Sequence, residues 1–110
     1  MDHQPSPAET FAFMEANYDK NAAKGLNATF QWELSGEDGG TWALQFEDGA
    51  ATLIEGGVEK PSVKFKLASA DWVAVATGKL NAMNAFMTGK LKMEGDMGLA
   101  MKVQTLFPQS

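Results

Sequence analysis

From Thr29 to Leu67 the chain alternates bulky apolar and polar residues, and glycine-bearing turns cut the alternation into short runs. Phe30, Trp32 and Leu34 alternate with Thr29, Gln31 and Glu33. Trp42, Leu44 and Phe46 alternate with Ala43, Gln45 and Glu47, and Val63, Phe65 and Leu67 with Ser62, Lys64 and Lys66. A period of two sends successive side chains to opposite faces of an extended strand, so each run reads as a half-buried strand. Ala50 to Glu55 is a further run with weaker alternation. Gly36-Glu37-Asp38-Gly39-Gly40 and Gly56-Gly57 separate the runs, and Asp48-Gly49 fits the two central positions of a tight hairpin, both of which need positive φ. The pattern predicts an antiparallel meander with one packed and one wet face.

The flanks carry a different period. Ser6-Pro7-Ala8-Glu9 fits a helix start with Ser6 as cap, Pro7 in the first turn and Glu9 reaching back to complete a capping box. Phe11, Met14 and Tyr18 then recur at helical spacing. They predict one helix to about Lys24, stopped by Gly25, with Glu15, Asp19 and Lys20 on its solvated side. Beyond the strands, Ser69 and Asp71 open a short helix carrying Trp72, Val73 and Val75 and ended by Gly78. A second short helix is expected from Asn81 to Met87, closed by Gly89, and Lys90 to Glu94 alternates again as a fifth strand. Asp96 caps a last helix with Met97, Ala100, Met101 and Leu106, ended by Pro108. A five-stranded, mostly antiparallel sheet with helices covering one face is an α+β fold. Residues 1–5 read as a flexible tail and 6–110 as one domain, with no internal repeat or linker.

Composition narrows the function. At 110 residues the chain is the size of one domain, and 45% hydrophobic against 21% charged residues can supply a core. All nine cationic residues are lysine, and fourteen acidic residues leave a formal net charge of -5. Without arginine's bidentate fork, and with a field that repels polyanions, nucleic acid is not an expected partner. Cysteine is absent and the one histidine is His3, which argues against Cys–His or Ser–His nucleophiles, thiolate metal sites and disulfides. No apolar run approaches the roughly 18–20 residues that cross a bilayer. Met1 to Pro7 lacks the basic start and apolar run of a secretory signal, so a cytoplasmic location is expected.

Five of the seven methionines, Met83, Met87, Met93, Met97 and Met101, fall between Gly78 and Lys102, with Phe86 and Leu91 among them. Methionine is unbranched and polarizable, so such a cluster makes a wall that repacks around different guests, although apolar stripes at helical spacing also fill ordinary cores. The segment from Gly78-Lys79-Leu80-Asn81 through Ala85-Phe86-Met87, Gly89-Lys90-Leu91-Lys92, Gly95-Asp96 and Leu99-Ala100-Met101-Lys102 closely resembles the C-terminal signature of the sterol carrier protein 2 domain family. Ala82 stands where the family commonly has proline, and Asp96 where asparagine is frequent. The upstream order of elements is similar as well, so the resemblance covers nearly the whole chain.

The resemblance implies an apolar tunnel between the sheet and its helices, and a non-enzymatic role binding or transferring a fatty acid, fatty acyl-CoA, phospholipid, sterol or polyprenyl quinone. The chain ends in Phe107-Pro108-Gln109-Ser110, not in a Ser-Lys-Leu peroxisomal address. The tunnel-lining candidates are Trp42, Leu44, Phe65, Met83, Phe86, Met87, Met93, Met101 and Leu106, chosen as apolar, inward by period and on the elements the family uses. Burying methylenes is worth roughly 0.8 kcal/mol each, so a sixteen-carbon chain offers on the order of 12 kcal/mol before ordering costs. An exposed lysine–carboxylate pair adds only about 0–1 kcal/mol. Affinity is therefore expected from the apolar wall, with Lys79, Lys90 and Lys92 as candidates to attract an anionic head group and, on base rates, as solvated surface lysines. The carboxylate pairs Glu94/Asp96 and Glu37/Asp38 have no accompanying constellation for acid–base work, and no cofactor is expected. Transient membrane contact, and either a monomer or a homodimer, are compatible with a carrier. The alternative is an interaction or dimerisation module that supports a lipid- or quinone-handling enzyme.

Overall fold

Asp48 and Gly49 take φ of 51° and 86°, the left-handed pair that a two-residue hairpin requires. The flanking strands pair from Glu47 with Ala50 to Trp42 with Glu55. The structure, a computed structural model, describes residues 5–107. The element order is α1 (Pro7–Ala16), α2 (Lys20–Ala23), β1 (Ala28–Ser35), β2 (Gly40–Glu47), β3 (Ala50–Glu55), β4 (Val63–Ala68), α3 (Ser69–Ala76), α4 (Ala82–Met87), β5 (Lys92–Gly95) and α5 (Met97–Leu106). The strands form one sheet in the order β3-β2-β1-β4-β5. This is the expected α+β architecture of five mostly antiparallel strands with helices against the apolar face.

The meander holds only through β3. The chain then crosses the sheet, and β4 runs parallel to β1, with Trp32 beside Phe65 and Leu34 beside Leu67. The crossing segment, residues 56–62, lies against part of the face expected to be wet, where Gly57 and Val58 meet Gln31 and bury it. Gln31 is satisfied rather than stranded: its Oε1 accepts the Val58 N–H at 2.7 Å and its Nε2 donates to Glu33 at 3.0 Å. Gly57 sits so close that a Cβ there would lie 2.5 Å from Gln31 Oε1, and its φ is +81°. Only glycine lets the crossover lie this flat.

The single N-terminal helix expected to reach Lys24 is two helices. The Ser6–Glu9 capping box starts α1 as predicted. Asn17 then leaves helical geometry, and Asp19 caps α2 by accepting the N–H of Asn21 and Ala22 at 2.9 and 3.1 Å. Aspartate gains more at an N-cap than inside a helix, which favours the break. Glu15 is not simply solvated either: it accepts the Leu53 N–H at 2.6 Å, closing part of the open edge of β3. Ser69, expected to cap α3, instead donates its hydroxyl to the Glu37 carbonyl, and Ala68 takes the cap position with no side-chain bond. β5 begins at Lys92 rather than Lys90, because Lys90 and Leu91 both donate their N–H groups to the Ala85 carbonyl and so belong to the end of α4. Pro108, expected to end α5, lies outside the described residues, as do the first four residues of the expected tail; Phe107 is the observed cap.

The densest packing surrounds Phe11. Its ring centroid lies 5.0 Å from Trp72, 5.1 Å from Trp42 and 5.2 Å from Trp32. Trp72 Nε1 donates to Thr10 Oγ1 at 2.7 Å, and Thr10 in turn donates to the Pro7 carbonyl at 2.6 Å. Three indoles from β1, β2 and α3 thus lock α1 across the sheet, with the buried polar hydrogen passed to a partner.

Candidate ligand-binding cavity

The apolar face of the sheet is wider than the packed aromatic layer, and the remainder forms the floor of a cavity of about 1130 Å³. Trp32 of β1, Phe65 and Leu67 of β4, and Met93 of β5 make that floor. The parallel pairing of β1 with β4 creates it, setting the Trp32 and Phe65 rings in a stack with centroids 5.3 Å apart. Walls come from Thr10, Phe13 and Met14 of α1, from Trp72 and Val75 of α3, and from Met83 and Phe86 of α4. Leu91, Ala100, Met101, Val103 and Phe107 add to them, with the polar residues Glu9, Asn17, Tyr18, Asp19 and Asn81 also in the lining.

Local sequence explains how these helices stand around a space instead of collapsing onto the floor. Asn81 caps α4 by accepting the N–H of Met83 and Asn84 at 2.8 and 3.2 Å. Only Ala85 of this six-residue helix is fully buried, at 0% exposure. A small residue at the contact anchors α4 and leaves the long side chains of Met83 and Phe86 to line the cavity. Asp96 caps α5 through the Leu99 N–H at 3.1 Å. At the other end, the Asp19 N–H donates to the Leu106 carbonyl at 2.8 Å, tying α5 to the start of α2. Both lid helices are fixed at defined points, and between those points the cavity remains.

Five of the nine sequence candidates line this cavity: Phe65, Met83, Phe86, Met93 and Met101. The other four do not. Trp42 and Leu44 lie on β2, one strand beyond the floor, where Trp42 stacks on Phe11 and Leu44 is fully buried. Leu106 is fully buried at the end of α5. Met87 is 75% exposed, because it falls on the side of α4 away from Ala85. Phe13 and Phe107, absent from the sequence candidates, also line the cavity, and Trp32 and Trp72 are core and cavity wall at once. The signal for Trp32 was its alternation with Gln31, but nothing local revealed that β4 would lie beside β1.

The polar groups of the lining are already occupied. Asp19 caps α2, Asn81 caps α4, Thr10 accepts from Trp72, and the Tyr18 hydroxyl donates to the Gly49 carbonyl at 2.9 Å, while Glu9 accepts the Ser6 N–H at 2.8 Å and the Asn17 amide donates to the Phe13 carbonyl at 3.0 Å. Lys79, Lys90 and Lys92 are exposed and lie outside the lining, and among the described residues no lysine contributes to it. No cluster of three or more potential metal ligands occurs among the described residues. Such a wall offers carbon contacts and no cationic clamp.

Comparison with known proteins decides the family, since the model of the SCP-2 sterol transfer family matches residues 11–108. The chain belongs to the SCP-2 sterol transfer family. The family match takes in the lining residues from Phe13 in α1 to Phe107 at the far end, while Pro5, Glu9 and Thr10 precede it. Among curated relatives, hydroxysteroid dehydrogenase-like protein 2 of Xenopus tropicalis is 37% identical over 102 residues, covering 92% of this chain and 24% of the relative. The chain thus spans about a quarter of that relative's length. Of solved structures, the sterol carrier protein domain 2 of Helicoverpa armigera is 29% identical with a TM-score of 0.70, covering 94% of this chain and 90% of that one. The palmitated SCP2L2 of Aedes aegypti, at 20% identity and 96% coverage of both chains, shares the fold with a TM-score of 0.78. Lipid binding is the role this family's fold supports.

Proposed function

We propose that this SCP-2 family chain is a cytoplasmic, non-catalytic carrier that takes one hydrophobic ligand into the cavity between β1, β4, β5 and the helices. The observation that carries the reading is the size and chemistry of that space. About 1130 Å³ lined mainly by Trp, Phe, Leu, Met and Val lies at or above the roughly 300–1,000 Å³ of ordinary small-molecule sites. Fatty acids, fatty acyl-CoA, phospholipids, sterols and polyprenyl quinones all bring the apolar bulk that such a wall accepts. The methionines Met83, Met93 and Met101 lend the wall its adaptability, which favours a broad guest range. The lack of a lysine in the described lining favours guests whose polar end is uncharged or remains in water.

The test is equilibrium binding of a fluorescent sixteen-carbon acyl probe to the delipidated protein, followed by competition with a sterol, a quinone, a fatty alcohol and the matching fatty acid. Saturable binding at one site per chain is expected, with loss on Phe86→Asp and retained far-ultraviolet circular dichroism. A folded, delipidated sample that binds none of these compounds would overturn the proposal. Native mass spectrometry of protein purified without delipidation identifies the natural guest.

The second reading, a module that helps assemble or serve a larger enzyme, is favoured by the length of the Xenopus tropicalis relative, about four times that of the region matched. A dimer that forms without lipid, through the exposed face of α4, is the outcome that would support it in light scattering.

A further inference from the structure

Helices α3 and α4 end in the same four residues and the same geometry. Thr77-Gly78-Lys79-Leu80 follows α3 and Thr88-Gly89-Lys90-Leu91 follows α4, a four-residue repeat in a chain otherwise read as having none. Gly78 and Gly89 take φ of 79° and 81°. Lys79 and Leu80 both donate N–H to the Ala74 carbonyl, and Lys90 and Leu91 both donate to that of Ala85. Each turn is a Schellman cap, which draws the leucine back towards the protein and presents the lysine outward. Both lysines, and Lys92 beyond them, are exposed, and none has an ion-pair partner among the described residues.

Between these two turns stand three of the exposed large hydrophobic residues described in the structure. Met83, Phe86 and Met87 of α4 are 38%, 43% and 75% exposed. Met83 and Phe86 also line the cavity, so this is a place where the cavity meets solvent. Residues 79–92 contain three lysines and no acidic residue, in a chain whose net charge is -5. Exposed carbon flanked by unpaired lysines is the arrangement that adsorbs to anionic bilayers, since the carbon enters the head-group region while the ammonium groups face lipid phosphate and carboxylate. Among the described residues no helix is long and apolar enough to cross a membrane, so the contact is peripheral.

We propose that α4 and its two lysine turns form a docking surface for an anionic lipid bilayer, which brings the rim of the cavity against the membrane. That the docked cavity then exchanges lipid rests on the carrier reading above; the adsorption itself does not.

The test is co-sedimentation of the full chain with phosphatidylcholine vesicles, with and without phosphatidylserine, at low and high salt. Three proteins are compared: wild type, Lys79→Gln/Lys90→Gln, and Met87→Ala. A lysine near an anionic surface strengthens adsorption roughly fivefold, so the double variant is expected to partition roughly 25-fold less onto the serine-containing vesicles. Met87→Ala is expected to reduce partition several-fold on the same vesicles. Because Met87 and both lysines lie outside the cavity lining, probe binding in vesicle-free buffer is expected to stay at the wild-type level in every variant. Thermal unfolding confirms that each remains folded. Equal adsorption to both kinds of vesicle, no effect of the double substitution, or a concentration-dependent dimer that Met87→Ala dissociates would each overturn the docking proposal. Failure of the carrier reading shows up separately, as absence of probe binding in buffer.

Discussion

Around Phe11 and around Met83 the same sheet face supports two kinds of interior. Near Phe11, three indoles meet one phenyl ring at 5.0–5.2 Å and the one buried indole donor recorded there has its acceptor. Near Met83, the side chains come from α4, anchored at the single small residue Ala85, and from α5, held at Ala100 and Leu106, and they border a space of about 1130 Å³. The first region uses rigid rings that fill volume in few rotamers; the second uses flexible chains that surround it. Stability and binding are therefore separable here, and substitutions in the two regions are expected to fail in different assays.

The largest effect is expected at the aromatic centre. Phe11→Ala removes a fully buried ring and leaves a hole that the flanking indoles cannot close, costing about 3–5 kcal/mol in urea unfolding. A loss below 1 kcal/mol would mean the two regions pack alike. Next comes Phe86→Asp, which places a carboxylate in the cavity wall. It is expected to weaken acyl-probe binding at least tenfold while shifting the unfolding midpoint little, because Phe86 is 43% exposed. If unfolding shifts as much as for Phe11→Ala, α4 is core and not wall. Thr10→Val leaves the Trp72 indole N–H without its acceptor, a change of about 1–3 kcal/mol in stability. Met101→Leu keeps the volume and loses the pliancy, so stability is expected to hold within about 1.5 kcal/mol. Its range of accepted competitors is expected to narrow.

The smallest effect concerns the exposed Lys66–Glu94 pair, 3.0 Å apart on the outer face. The hydrogen bond and charge of Lys66 hold the Glu94 carboxyl below its ordinary 4.5, and those of Glu94 hold Lys66 above its ordinary 10.5. The carboxylate's share of stability is present above the unfolded carboxyl's pKa and fades as pH falls through the lower folded one. The lysine's share is present below its unfolded pKa and is lost as pH rises through the higher folded one. Glu94→Gln is thus expected to lower the thermal midpoint slightly near neutrality and not at all in strong acid, where both proteins carry a neutral group.

The contrast between regions also marks how far the sequence could be read. Alternation placed Phe30, Trp32, Leu44 and Phe65 inward, and Asp48-Gly49, Ser6 and Asp96 announced their turn and caps, because these are short-range effects of backbone geometry. The crossover from β3 to β4 left no such mark: residues 56–62 look like a plain glycine-and-proline turn, and only the burial of Gln31 shows what they cover. The same non-local pairing decides which inward residues face the cavity. Trp32 and Trp42 follow one alternation rule, yet one forms floor because β4 adjoins its strand, and the other forms core because α1 covers it. Met87 is apolar and at helical spacing in the sequence, yet it is exposed, because a six-residue helix anchored at Ala85 has room for few inward positions.

The three tryptophans make the most direct test. In a titration of nitrogen-15-labelled, delipidated protein with a sixteen-carbon acyl ligand, the indole signals of Trp32 and Trp72 are expected to move and saturate at one ligand per chain, with that of Trp42 moving least. Each signal is assigned by a single Trp→Phe variant. Three unmoved indoles, or a shift confined to Trp42, would contradict binding between the sheet and its helices.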